Sequence, residues 1–267
     1  MTISNQPIAL DAPKVGGSSR RAILSILFGC AILFGILQIG VTQLTSVLDQ
    51  TWAALITSAI MLVVTVALES LLFKRETAKG LSALGFGRPN LRAALVAAII
   101  TTLMLAFFPI FTFSTGAQVR IKPAWLWILL AIVTFNGFAE ETLFRGFVFG
   151  GLRKDATLSF RRAGFISMII FAAVHLLLFF GNPFIIGLLG TLIAIASAFP
   201  MAYLFERGNN TIWAPVILHV GTHAIRLVDI SETHYLTAVT IWLAMQIGMV
   251  FLVYAFLGNL LKNQEGT

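Results

Sequence analysis

The chain has 267 residues, of which 58% are hydrophobic and 11% charged, and its mean hydropathy is +0.93. This composition excludes a water-soluble globular domain, and it makes the formal net charge of +7 a matter of membrane topology and contact with anionic lipid rather than of nucleic-acid binding. A membrane β-barrel is excluded too, because its strands would alternate polar and apolar residues, with turns about every ten residues.

The first 21 residues, MTISNQPIALDAPKVGGSSRR, are polar, rich in Gly, Ser and Pro, and end in two arginines. They read as a flexible cytoplasmic tail ahead of a retained first helix, with no Ala-x-Ala cleavage site. Apolar stretches of the roughly 20 residues that a bilayer crossing needs then recur at 22–44, 52–73, 91–113, 124–149, 163–180, 184–206, 211–228 and 237–260. The expected fold class is therefore all-α, a polytopic transmembrane bundle of about eight helices. Residues 22–260 form a single membrane domain and 261–267 a short cytoplasmic tail.

Between helices, 74–92 is the longest connection, 150–162 is a second basic one, and Gly181-Asn182-Pro183 reads as a tight outer turn. Asn209, Asn210 and Thr211 are candidate caps for the seventh helix. Pro215 within that helix would free the Thr211 carbonyl and kink it. Cys30, the single cysteine, excludes an internal disulfide and reads as a packing residue.

With the N-terminus inside, 15 lysines and arginines fall in inner segments, whereas only Arg120, Lys122 and Arg226 fall in outer ones. This asymmetry places both termini in the cytoplasm and describes a multi-pass protein of the cell (plasma or inner) membrane. The five tryptophans, Trp52, Trp125, Trp127, Trp213 and Trp242, each lie near an expected helix end, where interfacial aromatics belong.

A charge near the bilayer centre costs a few kcal/mol or more, so buried ionisable groups mark function. Within the expected helices these are Glu140, Glu141, Arg145, His175, His219 and His223, with Asn136 as a polar neighbour. At 1.5 Å per residue Glu140 falls about 24 Å into the fourth helix, and His175, His219 and His223 fall about 12 to 18 Å into theirs from the other side. All four then lie in the cytoplasmic half. Glu141 and Arg145 are four residues apart with the acid first, the favourable order for an ion pair along one helix. Glu140 is rotated about 100° from Glu141 and so faces a different neighbour, with Asn136 one turn before it on the same side. Taken singly, His175 or Asn136 has a structural explanation as a hydrogen-bonded packing residue, and His234, Asp229 and Glu232 read as solvated loop residues.

Several hydrolytic chemistries are absent. There is no Gly-x-Ser-x-Gly elbow and no His-Glu-x-x-His zinc helix, and Asp11, Asp49, Asp155 and Asp229 all lie in tails or loops. What remains is a carboxylate with three histidines.

Three segments then resemble a known family. EETLFR (Glu140 to Arg145) is similar to its EExxxR motif, FAAVH (Phe171 to His175) to its FxxxH motif, and NNTIWAPVILHVGTH to its third motif. The family is that of the CPBP or Abi intramembrane glutamic endopeptidases, which includes the CAAX prenyl proteases of the Rce1 type, and the similarity covers residues 124–228. It implies a peptidase acting near the cytoplasmic membrane face on a peptide or membrane protein, prenylated or not, without a cofactor. In that scheme Glu140 activates water, His175 helps to hold it, Arg145 orients the motif through Glu141, and His219 stabilises the oxyanion. The family usually has Asn or Asp where this chain has His223, and an imidazole there can still donate one hydrogen bond. The substitution also opens an alternative, a metal-dependent hydrolase with zinc on Glu140, His175, His219 and His223. Two others stay open: an immunity or scaffold protein without catalysis, and a transporter with a midplane ion site, although no repeated halves are visible.

Overall fold

The computed structural model describes residues 17–180 and 183–262. These residues form ten helices and a two-stranded ribbon. The helices are α1 (Gly17–Ile39), α2 (Gln50–Phe73), α3 (Thr77–Ala83), α4 (Leu91–Thr115), α5 (Trp125–Lys154), α6 (Phe160–Phe180), α7 (Phe184–Arg207), α8 (Trp213–Thr222), α9 (Glu232–Met249) and α10 (Leu252–Lys262). Strands β1 (Val119–Ile121) and β2 (Val228–Ile230) pair antiparallel, with Arg120 opposite Asp229. Gly181 and Asn182, two of the three residues of the expected outer turn, lie outside the described residues, as does the tail before Gly17. Gly17 to Arg21, assigned to the tail from sequence, are the first turns of α1.

Seven helices are long and apolar enough to cross a membrane, so the chain is an all-α, multi-pass membrane protein. Side chains such as Phe113, 93% exposed, mark the surface that faces lipid. Short polar caps end several crossings. Asp49 accepts from the backbone N–H groups of Thr51 and Trp52 at 2.9 and 3.2 Å, Asn90 does the same for Arg92 and Ala93, and Ser159 accepts from Arg162.

The crossing expected over 211–228 is shorter than the others. Its α-helical part, α8, has 10 residues and is followed by a 3-10 turn, Ala224–Leu227. Ten residues rise only about 15 Å, half of the hydrocarbon thickness. The chain nevertheless passes from one end of the bundle to the other. Ile212 N–H donates to the Gly85 carbonyl at 3.1 Å at the start of α8, and β2 joins β1 beyond its end. The helix stops at Thr222 because that carbonyl accepts from both Trp242 Nε1 and Gln246 Nε2 of α9, each at 2.9 Å. Trp242 is therefore a fully buried anchor and not an interfacial residue. Trp52 and Trp127, by contrast, stay exposed and meet edge to face at 4.8 Å.

Two further expectations change. Asn209 and Asn210 do not cap α8; both take left-handed backbone angles, φ of 66° and 55°, and turn the chain, while Ile212 stands at the cap without a side-chain bond. Because α8 begins at Trp213, Pro215 lies in its first turn, where its missing N–H costs nothing and produces no kink.

The end of the bundle away from the ribbon is basic and cross-linked. Arg75 pairs with Glu69 of α2 and with Asp155 just after α5. Burial alone would lower the Arg75 guanidinium, but attraction to Glu69 and the hydrogen bond to Asp155 outweigh it and hold it above its ordinary value. Arg153 pairs with Glu206 through two bonds, at 2.7 and 3.1 Å, tying α5 to α7. Helix α5 is also gripped by backbone contact, since a Cβ at Gly146 would lie 2.3 Å from the Leu84 carbonyl oxygen of the loop after α3. Only glycine permits that approach. The buried core falls into two clusters, one around α5 (Leu33, Met61, Leu143, Phe147) and one joining α4, α8 and α9 (Ile100, Met104, Leu218, Trp242).

Candidate active site

Helix α5 is not a regular α-helix. Ile132–Ala139 and Thr142–Gly150 are both π-helical, with wide turns closed by i to i+5 bonds, and Glu140 and Glu141 sit at the junction between them. Wide turns of this kind are rare and concentrate at functional sites. Gly137 lets α8 approach the first wide segment, because a Cβ there would stand 3.0 Å from Val220 and 3.1 Å from Val216. The motif glutamates are thereby pressed against the helix that carries His219.

The carboxylate of Glu140 accepts from Asn136 Nδ2 through Oε1 at 2.8 Å, and its Oε2 faces His219 Nε2 at 3.8 Å. That gap is too long for a hydrogen bond. Glu141, fully buried, uses a single oxygen twice: Oε1 accepts from Arg145 Nη1 at 3.0 Å and from His219 Nδ1 at 2.5 Å. The spacing argument foresaw only the first of these bonds. It made Glu141 a neutraliser of Arg145, whereas the structure also makes it the partner that orients His219. Because carboxylates only accept, the bond to Glu141 assigns a proton to Nδ1. The neutral ring then presents a lone pair on Nε2 towards Glu140, and the imidazolium presents a second N–H there.

Phe171 of α6 is the apolar centre of the site. Arg145 lies over its ring at 4.7 Å, His175 meets it edge to face at 4.4 Å, and His219 stands perpendicular at 6.5 Å. His175 Nδ1 donates to the Phe171 carbonyl at 2.8 Å, which leaves Nε2 of the neutral ring as an acceptor. His175 is within electrostatic reach of Glu140 and His219, and His223 stacks on His219 at 5.3 Å. Glu140, His175, His219 and His223 thus come to one place, with Asn136, Glu141 and Arg145 around them.

Helix α5 continues beyond residue 149 to Lys154, and Glu140 stands midway along its 30 residues. Among the described residues no group of three or more His, Cys, Asp or Glu side chains is placed to hold an ion, so Glu140, His175, His219 and His223 do not stand as a ready-made ligand set. His219 also spends Nδ1 on Glu141. Asp229 is exposed as expected but sits on a paired strand, and His234 bonds Ser231 and Thr233 at the start of α9.

Sequence reasoning missed Arg226. It lies in the 3-10 turn after α8 and its Nη1 donates to Asn136 Oδ1 at 3.1 Å. The one signal available was that it is among only three basic residues of the outer segments.

Residues 122–225 match the family model described as Rce1-like, type II CAAX prenyl endopeptidase Rce1-like. All seven site residues anticipated from the sequence fall inside this segment. The family is one of membrane proteases, and the resemblance carried by the three motifs agrees with it. No curated protein matches the chain.

Proposed function

We propose that this chain is a membrane protease of the Rce1-like type, an endopeptidase in which Glu140 activates water for attack on a peptide bond. The observation that carries the reading is the division of labour between adjacent glutamates. Glu141 is committed to Arg145 and His219, whereas Glu140 holds one oxygen with Asn136 and turns the other towards the His219 ring across 3.8 Å. A group between Glu140 Oε2 and His219 Nε2 can reach both at ordinary hydrogen-bond lengths.

In this scheme Glu140 takes a proton from water as the hydroxide oxygen bonds to the scissile carbonyl carbon. The oxyanion so formed is met by the imidazolium Nε2–H of His219, whose orientation Glu141 fixes, with His223 stacked behind it. Collapse of the tetrahedral species breaks the C–N bond, and Glu140 returns its proton to the departing amine. His175, pinned through Nδ1 to the Phe171 carbonyl, presents Nε2 as a further acceptor for the attacking water. No metal is assigned a step, and a glutamate base needs no cofactor.

The substrate class is a peptide or membrane protein, prenylated or not, and the basic end of the bundle faces the cytoplasm of a cell-membrane protein by the excess of lysine and arginine there. The test is cleavage of a fluorogenic hydrophobic peptide and of its prenylated counterpart by purified protein in detergent. Glu140→Ala should abolish both reactions while the melting temperature stays near that of the wild type. Full activity in that variant removes the assignment. A cellular phenotype that survives in Glu140→Ala would point instead to a scaffold or immunity role.

A further inference from the structure

Arg226 belongs to none of the three motifs and lies one residue past the family match. Its surface is exposed, yet its guanidinium reaches down to Asn136, which in turn bonds Glu140. We infer that Arg226 is a positioning residue for Glu140, acting through the Asn136 amide; the inference rests on the reading of Glu140 as the base.

The argument turns on the two ends of an amide. Asn136 can present either its oxygen or its nitrogen to Glu140, and the two orientations have nearly the same shape. Only the nitrogen donates to a carboxylate; the oxygen would meet it acceptor to acceptor. Arg226 resolves the choice, because a guanidinium has donors and no acceptor. By binding Oδ1 at 3.1 Å it turns Nδ2 towards Glu140 Oε1, 2.8 Å away. With Oε1 held, the carboxylate plane is fixed and Oε2 is the oxygen that faces His219 and the attacking water. The other charged or titratable side chains around this point already have places: Glu141 and Arg145 bind each other, His175 binds the Phe171 carbonyl, His219 binds Glu141, and His223 stacks on His219. None of those contacts orients the amide.

The placement also connects two parts of the chain that the motifs treat separately. His219, His223 and Arg226 follow one another through α8 and the turn after it. Of these, His219 meets the glutamates directly, and Arg226 meets Glu140 through the residue one turn before it. The carboxylate of Glu140 is thereby held at Oε1 and faced at Oε2 by two points of one continuous segment.

The test is a set of variants of the full chain in detergent, assayed with the hydrophobic peptide and checked by melting temperature: Arg226→Gln, Arg226→Lys, Asn136→Ala, the double variant Asn136→Ala with Arg226→Gln, and Glu140→Ala. Arg226→Gln should lower kcat about tenfold, with KM within about twofold of wild type, as for loss of one hydrogen bond that orients a reacting group. Arg226→Lys, which keeps a cationic donor, should recover most of the rate. In the Asn136→Ala background, Arg226→Gln should change kcat by less than about twofold, since the route through the amide is already gone. The inference is overturned if kcat is unchanged in Arg226→Gln or if KM rises with kcat intact, the latter marking a substrate contact. It is likewise overturned by equal impairment in the Lys and Gln variants or by an undiminished effect without Asn136. Activity retained in Glu140→Ala would remove the base assignment itself. Inactive Glu140→Ala with any of the preceding outcomes removes only the role of Arg226.

Discussion

Replacing Glu141 by Ala separates the two glutamates most sharply. Arg145, whose side chain is 3% exposed, would lose its ion-pair partner at 3.0 Å, and His219 Nδ1 would lose its acceptor at 2.5 Å. Breaking a buried pair from one side costs about 3–5 kcal/mol. The Phe171 ring covers the guanidinium at 4.7 Å with or without Glu141, so this cation–π contact leaves the difference unchanged. Glu141 Oε2 has no hydrogen-bond partner among the described residues, so the pair is not bidentate and the lower part of the range applies. The net loss is about 3–4 kcal/mol, or very roughly 6–16 °C in melting temperature for a chain of this size. The assay is thermal unfolding in detergent beside peptide cleavage. Activity should fall as well, because the His219 ring is no longer fixed. The control is Glu140→Ala: its side chain is 13% exposed and receives one bond from Asn136, so about 1 kcal/mol and a few degrees are expected. Adding Arg145→Leu to Glu141→Ala should restore part of the melting temperature by removing the orphaned charge. Equal melting of Glu141→Ala and wild type, or an equally large loss in Glu140→Ala, would refute the assignment of the two roles.

Gly146→Ala should destabilise the protein by about 1–3 kcal/mol, read as a lowered melting temperature, because its Cβ would fall 2.3 Å from the Leu84 carbonyl oxygen and force α5 off the loop. Either Trp242→Phe or Gln246→Leu leaves the Thr222 carbonyl one donor, so each should lose less from this bond than the double variant. The double variant strands a buried acceptor at a cost of about 1–3 kcal/mol, measurable as non-additive melting shifts. His223→Asn introduces one of the two residues, Asn or Asp, usual in the family it resembles and keeps a side chain that can donate, so peptide cleavage should stay within about tenfold of wild type. His223→Leu, which can donate nothing, should lose at least an order of magnitude more.

The fold class was legible because membrane crossings are written in long apolar runs, and hydropathy alone located the seven long helices. The short crossing, α8, was overestimated because an apolar run continues through Leu227, while its end is set by Trp242 and Gln246 reaching the Thr222 carbonyl from another helix. Trp242 was misplaced for the same reason: near a helix end in sequence, it is buried by a tertiary bond. Within the site, regular helix spacing correctly brought Asn136 beside Glu140 and Glu141 beside Arg145. It could not show that Glu141 also binds His219, since that contact spans 78 residues of sequence. The π-helical turns on either side of the glutamates had no signature in hydropathy. Arg226 was hidden by its assignment to an outer segment, although a long guanidinium side chain reaches well below its own backbone.

The central claim is that Glu140 acts as a base towards water and forms no bond to the substrate. Its most direct test is a single-turnover cleavage with excess enzyme in water enriched in heavy oxygen, followed by mass analysis of the new peptide carboxylate and of the enzyme fragment containing Glu140. The account predicts heavy oxygen in the product carboxylate and none in the Glu140 fragment. Heavy oxygen in the Glu140 side chain, with an unlabelled product, would show that the carboxylate attacks the peptide bond itself and would contradict it.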